Sequence, residues 1–276
     1  AFNSSRYEED YRFLRDPSLR TDFFDPLKYI PLNESESVYL TLGGETRQHF
    51  EFIDNDNWGK GVQDSDGYYL QRYLGHADLH LGERVRVFGQ LMSGIISGRN
   101  GGPRAVDKDR LDLNQGFVDL QLLKKADQLL TVRAGRQEIV FGSRRFFNYR
   151  ERPNMRLSHD AVTGIFKTGR WDVRAFGARP VTLNPGAFDD KSADANTVWG
   201  LYGVRQKLPV NFPANTDLSI TWGCTAATRF IIRGRRKKCA TPSAPGCGAQ
   251  GKTWITTLNS YTSSAPLAGE IFTPMP

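Results

Sequence analysis

Val38-Tyr-Leu-Thr-Leu-Gly-Gly-Glu-Thr-Arg-Gln-His-Phe-Glu-Phe52 reads in steps of two. Val38, Leu40, Leu42, Phe50 and Phe52 share one parity, and Glu45, Arg47, His49 and Glu51 share the other. Successive side chains of a strand point to opposite faces, so this stretch is a strand with one apolar and one charged face. The pattern recurs downstream. Val85, Val87, Leu91 and Ile95 oppose Arg84, Arg86 and Gln90, and Val118, Leu120 and Leu122 oppose Gln115, Asp119 and Gln121. Val132 and Ala134 oppose Arg133 and Gln137, while Trp171, Val173 and Ala175 oppose Asp172 and Arg174. Several runs reach roughly ten residues, the length of a tilted membrane crossing, where globular strands average about five or six.

The connections between these runs alternate in length. Asp54 to Asp66, Gly98 to Leu111, Phe141 to His159 and Pro180 to Asn196 are long; Gly82-Glu83, Lys124 to Gln128, Thr168 to Arg170 and Gln206 to Thr216 are short. Outer-membrane barrels join their strands by tight turns on one side and extended loops on the other. The expected fold is all-β, an antiparallel up-and-down outer-membrane β-barrel, with roughly nine strands before residue 222. Tyr39, Tyr68, Tyr69, Tyr73 and Trp171 sit near strand ends, where an aromatic girdle would lie. Residues 1–34 read as a lead-in segment, with a short helical turn over Tyr7 to Leu14 acting as a periplasmic lead-in or plug. Residues 35–221 read as a partial barrel and 222–276 as an irregular tail. Alternation alone does not say whether the apolar face meets lipid or a core, so a soluble or surface β-protein that binds carbohydrate through its loops is the alternative.

Composition is compatible with both. The 276 residues are 39% hydrophobic and 12% aromatic, and no run approaches the 18 or more apolar residues of a spanning helix. No charged and apolar leader precedes Ala1, so the chain is expected to be already processed or to lack its start. The net charge of +7 resides in the tail, where Arg229, Arg233, Arg235, Arg236, Lys237, Lys238 and Lys252 face only Glu270. The body is near neutrality, so no nucleic-acid partner is expected. Cys224, Cys239 and Cys247 also fall in the tail at irregular spacing, which favours neither a disulfide framework nor a metal site.

Tyr11-Arg-Phe-Leu-Arg-Asp-Pro17, Asp25-Pro-Leu-Lys-Tyr-Ile-Pro-Leu32 and Leu42-Gly-Gly-Glu-Thr-Arg47 resemble the N-terminal part of the alginate export outer-membrane family. Leu70-Gln-Arg-Tyr-Leu74, His76-Ala-Asp-Leu-His80, Arg84-Val-Arg-Val-Phe-Gly-Gln-Leu91, Arg110-Leu-Asp-Leu113, Arg133-Ala-Gly-Arg-Gln-Glu138, Phe141-Gly-Ser143 and Ala178-Arg-Pro180 continue the resemblance, which spans about residues 6 to 218. It implies a monomeric barrel of about eighteen strands in the cell outer membrane, in contact with lipid and with periplasmic export machinery. Such a barrel passes an anionic, alginate-like polysaccharide through an arginine-rich lumen, without enzyme activity or cofactor.

A polyuronate needs a wet path of positive potential and no deep binding site. Guanidinium groups suit that role because they stay charged and present forked donors to carboxylates. The candidates on polar strand faces are Arg47, Arg72, Arg84, Arg86, Arg133 and Arg174. Arg144, Arg145 and Arg150, with Arg152 and Arg156, crowd the third long loop, which is expected to fold into the lumen or guard its mouth. Glu45, Glu51, Asp78, Asp119 and Asp172 are the carboxylates available to pair with them. His76, Asp78 and His80 share a face at strand spacing and would suit Zn²⁺, but lumen polarity explains them equally, so no metal is expected. No serine, histidine and carboxylate grouping suggests a catalytic triad.

The abrupt change of composition in the tail suggests a change of reading frame from about Asp217. Back-translating Lys252 to Pro276 and joining each third base to the next two permits DLDYNFELVYQFGTFGRGDIYADA, a string rich in the tyrosine, phenylalanine and glycine of a barrel strand and loop. Resequencing around codon 217 is expected to show a base offset, with a longer barrel frame continuing downstream. An intact frame there, with no such continuation, refutes the idea.

Overall fold

The strands pair strictly with their neighbours along the chain. The computed structural model describes residues 5–141, 144, 147–194, 196–205, 216–225 and 252–260. Three 3-10 turns, Arg6–Glu8, Arg12–Arg15 and Pro17–Leu19, and one helical turn, Asp25–Lys28, precede the sheet. The strands are β1 (Ile30–Pro31), β2 (Val38–Glu51), β3 (Tyr68–Leu81), β4 (Val85–Ser97), β5 (Asp109–Lys125), β6 (Gln128–Gln137), β7 (His159–Thr168), β8 (Trp171–Thr182), β9 (Lys191–Ser192), β10 (Asn196–Arg205), β11 (Thr216–Thr225) and β12 (Lys252–Ser260). They form one antiparallel up-and-down sheet in chain order, except that the two-residue β9 branches from β8, which pairs onward with β10. Among the described residues the two ends of the sheet do not pair, so the barrel is incomplete.

The tight turns are set locally. Gly82 turns the chain between β3 and β4 at φ +65°, a conformation that a side chain would strain, and its N–H donates to the Ser37 carbonyl at 3.0 Å. Asn33 starts β2 by accepting the Val38 N–H on its side-chain oxygen at 3.0 Å. The expected boundary at residue 221 falls inside β11, and β12 lies within the expected irregular tail. Lys252-Thr-Trp-Ile-Thr-Thr-Leu-Asn-Ser260 is rich in β-branched and aromatic residues, and it pairs with the free side of β11.

One face of the sheet is apolar and open, and the other is polar and covered. Phe50, Leu91, Ile95, Val118, Leu120, Leu122, Val162 and Leu201 are all exposed, whereas Arg72, Gln90, Asp109, Asp112, Asn114, Gln115, Asp119 and Arg133 are buried. A soluble protein sorts these residues the other way. Lipid is the solvent that this outer face fits, with strands of 14 residues in β2 and β3 and 13 in β4 long enough to cross it. Tyr73 and Trp171 lie on this outer face. Tyr39 and Tyr68 do not: both are buried on the inner face, Tyr39 beside Tyr29 and Tyr68 with its hydroxyl on Glu51, because their parity is that of the charged side chains.

Strand β5 carries one register shift against β6, between Gln121 and Leu123, and two against β4 that break the parity of its inner face. Its pairing with β4 shifts between Met92 and Gly94, opposite Asp112 and Asp109, and again between Gln90 and Leu91, opposite Gln115 and Leu113. Each β-bulge adds one residue to β5, so Asp109 and Asp112 share the inner face despite a spacing of three, as do Asn114 and Gln115.

Replacing Leu91, midway along the outer face of β4, with arginine is expected to destabilise the protein in lipid vesicles by about 2–4 kcal/mol. Chemical unfolding measures it. A change within about 0.5 kcal/mol, the usual cost at a water-facing site, would show that the face does not meet lipid.

Candidate functional site

Two segments cover the inner face, and each is built into it by aromatic and ionic contacts. The first is the N-terminal stretch. Tyr7 is buried edge-on against Phe117 and Phe88, with ring centroids 5.7 and 6.2 Å away. Arg133 lies over the Phe117 ring at 3.9 Å and the Tyr7 ring at 4.5 Å, so a cation caps the aromatic cluster. The Tyr7 carbonyl accepts a 2.6 Å hydrogen bond from Arg86. Further along, Leu14 packs with Tyr29 and Tyr39 at the β2 end of the wall. Burial pushes the Tyr11 phenol well above its ordinary range, and its hydrogen bond to Glu9 adds to the shift.

The second segment is the connection from β6 to β7. Its Asn154 amide lies 2.9 Å from the Gln71 and Asp107 carbonyls and 3.2 Å from that of Ile95. Met155, fully buried, packs on Leu74 and Met92. Gly94 leaves room for this approach, since a β-carbon there would collide with the Met155 sulfur and crowd the Asn154 amide. Ile139 and Phe147 pack on Phe176 and Ala178 of β8. The third long loop therefore folds onto the inner wall.

Glu45 joins wall, N-terminal segment and loop. It accepts from Arg72 of β3 at 3.0 Å, Arg6 at 3.1 Å and Arg156 of the loop at 3.5 Å. Glu151 of the loop completes the cluster, contacting Arg72 and accepting from Arg156 Nε at 2.9 Å. Burial holds the Arg6 guanidinium down, but its hydrogen bonds to Glu45 and Glu9 and their charges together outweigh this and leave it above its ordinary value. Arg72 is fully buried, so these carboxylates supply the counter-charge that its burial requires.

The other expected arginines are paired in the same manner. Arg86 forks onto Asp78 at 2.7 and 2.6 Å, Arg133 onto Asp119 at 2.7 and 2.8 Å, and Arg174 onto Asp172 at 3.2 and 3.1 Å. Arg47 instead donates to loop carbonyls, at 2.5 Å to Glu151 and 3.3 Å to Pro153. Arg84 departs from its expected place: it lies in the β3–β4 turn, exposed, and its carbonyl pairs with the Gln121 N–H. Arg144 and Arg150 are exposed on the loop at φ +60° and +57°, and Arg145 lies outside the described residues. Glu51 accepts from Tyr68 and lies 3.6 Å from Arg152. His76 stacks on Phe88 and Asp78 is taken by Arg86 and His80, so these residues serve the wall.

Several inner groups were not anticipated. Asn114 donates to Gln90 at 3.0 Å and to Glu138 at 2.8 Å, and Gln115 donates to Gln90 at 2.9 Å, forming a buried amide ladder that the bulge makes possible. Arg136 pairs with Asp160 at 2.8 Å and reaches the Asp190 carbonyl. Asp109, Asp112 and Asp190 stand together with a ligand oxygen each within 4.8 Å of the others. The Asp190 carboxyl, in the connection between β8 and β9, is pushed up to about 6, by burial first and then by the Asp112 and Asp189 charges. Parity reading hides this group, because a spacing of three puts two residues on opposite faces of a regular strand.

The alginate export family profile matches residues 38–212. No curated protein and no solved structure matches the chain. The matched region begins with β2, ends beyond β10, and contains the whole inner wall on which the N-terminal segment rests. On this match, which covers more than half of its length, the chain belongs to the alginate export family.

Proposed function

We propose that the barrel to which this wall belongs is a monomeric outer-membrane pore that passes an anionic, alginate-like polysaccharide outward along an arginine-lined lumen. The sorting of the wall carries this reading: Arg47, Arg72, Arg86, Arg133 and Arg174 are on the face opposite Leu91, Val118 and Leu120. The exposed apolar band counts against a water-soluble carbohydrate-binding protein, which would have no solvent for it. The short-turn side bears the N-terminal segment and would face the periplasmic export machinery.

Pairing shapes the mechanism. A lumen of bare guanidinium groups would hold a polyanion tightly at every step. Forked Arg86–Asp78 and Arg133–Asp119 pairs already balance the guanidinium charge, so a passing uronate competes with a resident carboxylate, is held weakly, and leaves the original pair intact. Passage also requires the N-terminal segment and the third long loop to yield, because both cover the wall. No redox, metal or covalent step enters this reading; the arginines act as fixed charge.

The test uses the frame-restored barrel in planar bilayers. The wild-type pore is expected to prefer anions, and Arg47→Glu, Arg133→Glu and Arg174→Glu together are expected to reverse the sign of the reversal potential in a salt gradient. Unchanged selectivity would assign these side chains a purely structural role. Deleting residues 5–29 from the same barrel is expected to raise single-channel conductance without reversing selectivity, and an unaltered conductance would show that the segment does not obstruct the path.

A further inference from the structure

The connection that follows β8 is tied to the start of β5. Its Gly186 carbonyl accepts from Arg110 N–H at 3.1 Å, its Phe188 N–H donates to the Leu111 carbonyl at 3.0 Å, and Leu111 and Ala187 form a parallel bridge. These bonds run along the outer-parity residues of the β5 bulge. On the inner side the bulge presents Asp109 and Asp112 to Asp190, whose N–H lies 3.4 Å from an Asp112 oxygen. Three carboxylates therefore meet where two chain segments are held together.

The group lacks a counter-charge. Asp109 is fully buried, and neither of its carboxylate oxygens has a hydrogen-bond partner among the described residues; Asp112, 2% exposed, has one oxygen without a partner. Arg136 is the cation at hand, but its guanidinium is committed to Asp160 and to the Leu113 and Asp190 carbonyls. Elsewhere on this wall, buried carboxylates such as Asp78 and Asp119 are matched with arginine. Two buried unpartnered oxygens on a residue aimed at two further carboxylates are costly unless something positive sits between them.

The spacing identifies what fits. Oxygens bound to one Ca²⁺ at about 2.3–2.6 Å lie at most about 5 Å apart, and one oxygen from each of the three residues falls within 4.8 Å of the others. All the donors are hard oxygens, with no histidine or thiolate, which selects against zinc and copper. We propose that Asp109, Asp112 and Asp190 bind a calcium ion that staples the β8–β9 connection to the long-loop end of β5. Water completes the coordination. The site lies at the end of the wall where the long loops gather, so the ion would fix one side of the barrel mouth. This proposal is independent of which solute the pore carries.

Calcium chloride alone is the probe, titrated calorimetrically into the full chain folded in detergent micelles, with magnesium chloride as the second arm. One saturable calcium site per chain is expected, accompanied by protection of the 183–190 segment from proteolysis. Asp109→Asn with Asp112→Asn is expected to abolish that binding and the calcium-dependent protection. The same variant is expected to melt no lower than wild type in calcium-free buffer, because it removes carboxylate repulsion. A chain that binds no calcium at millimolar concentration, a double variant that binds as well as wild type, or a variant that melts lower in chelator each overturns the proposal. The last result would mean that the carboxylates share a proton and support the fold without an ion.

Discussion

A strand whose outer face meets hydrocarbon has only its inner face on which to place charge, and whatever is placed there has to be neutralised by another inner-face group. This constraint organises the wall. Guanidinium groups meet carboxylates across neighbouring strands, as Arg72 meets Glu45 and Arg133 meets Asp119, or along one strand, as Arg174 meets Asp172. Pairing across β3 and β4, or β5 and β6, also ties registers together, since a one-residue slip would turn Arg86 or Arg133 towards lipid. The ion pairs thus specify the wall as much as they stabilise it.

The same constraint explains why the two covering segments carry both ionic and aromatic anchors. Arg6 and Arg156 converge on Glu45 from opposite directions, and Glu151 returns a carboxylate to Arg72. Tyr7 and Met155 then bury apolar surface in the gaps between the charged columns. An inner wall that was only charged would give a covering segment little to bury, and one that was only apolar would leave that segment's arginines and carboxylates without partners. The mixture serves both requirements.

Most of the sheet is legible in the sequence because a period of two survives translation into three dimensions wherever the ladder is regular. Val118, Leu120 and Leu122 face outward and Arg133 inward, as their spacing requires. Legibility fails where geometry departs from that period. The two bulges of β5 against β4 leave Asp112 and Asn114 on the inner face, although parity with Val118 and Leu120 assigns them outward. Arg84 has the right parity but lies beyond the end of its strand, where parity carries no meaning. Tyr39 and Tyr68 sit near strand ends as a girdle would, yet face inward, because nearness to an end says nothing about side. The partners of each arginine were the least visible feature. Register, which chain spacing does not reveal, decides that Asp119 rather than another carboxylate stands opposite Arg133.

The N-terminal segment is anchored on the early part of this wall: Tyr7 meets Phe88, Phe117, Arg86 and Arg133, Arg6 meets Glu45, and Leu14 meets Tyr39. These partners lie in β2, β4, β5 and β6, which with β3 are the first long strands to be synthesised. A closed cylinder cannot be loaded from the side. Seating the segment while the sheet is still an open ribbon avoids threading it through an end, and its contacts are available at that stage without waiting for the later strands. An inner covering laid down on the early strands would then serve as a template around which the remaining hairpins are added.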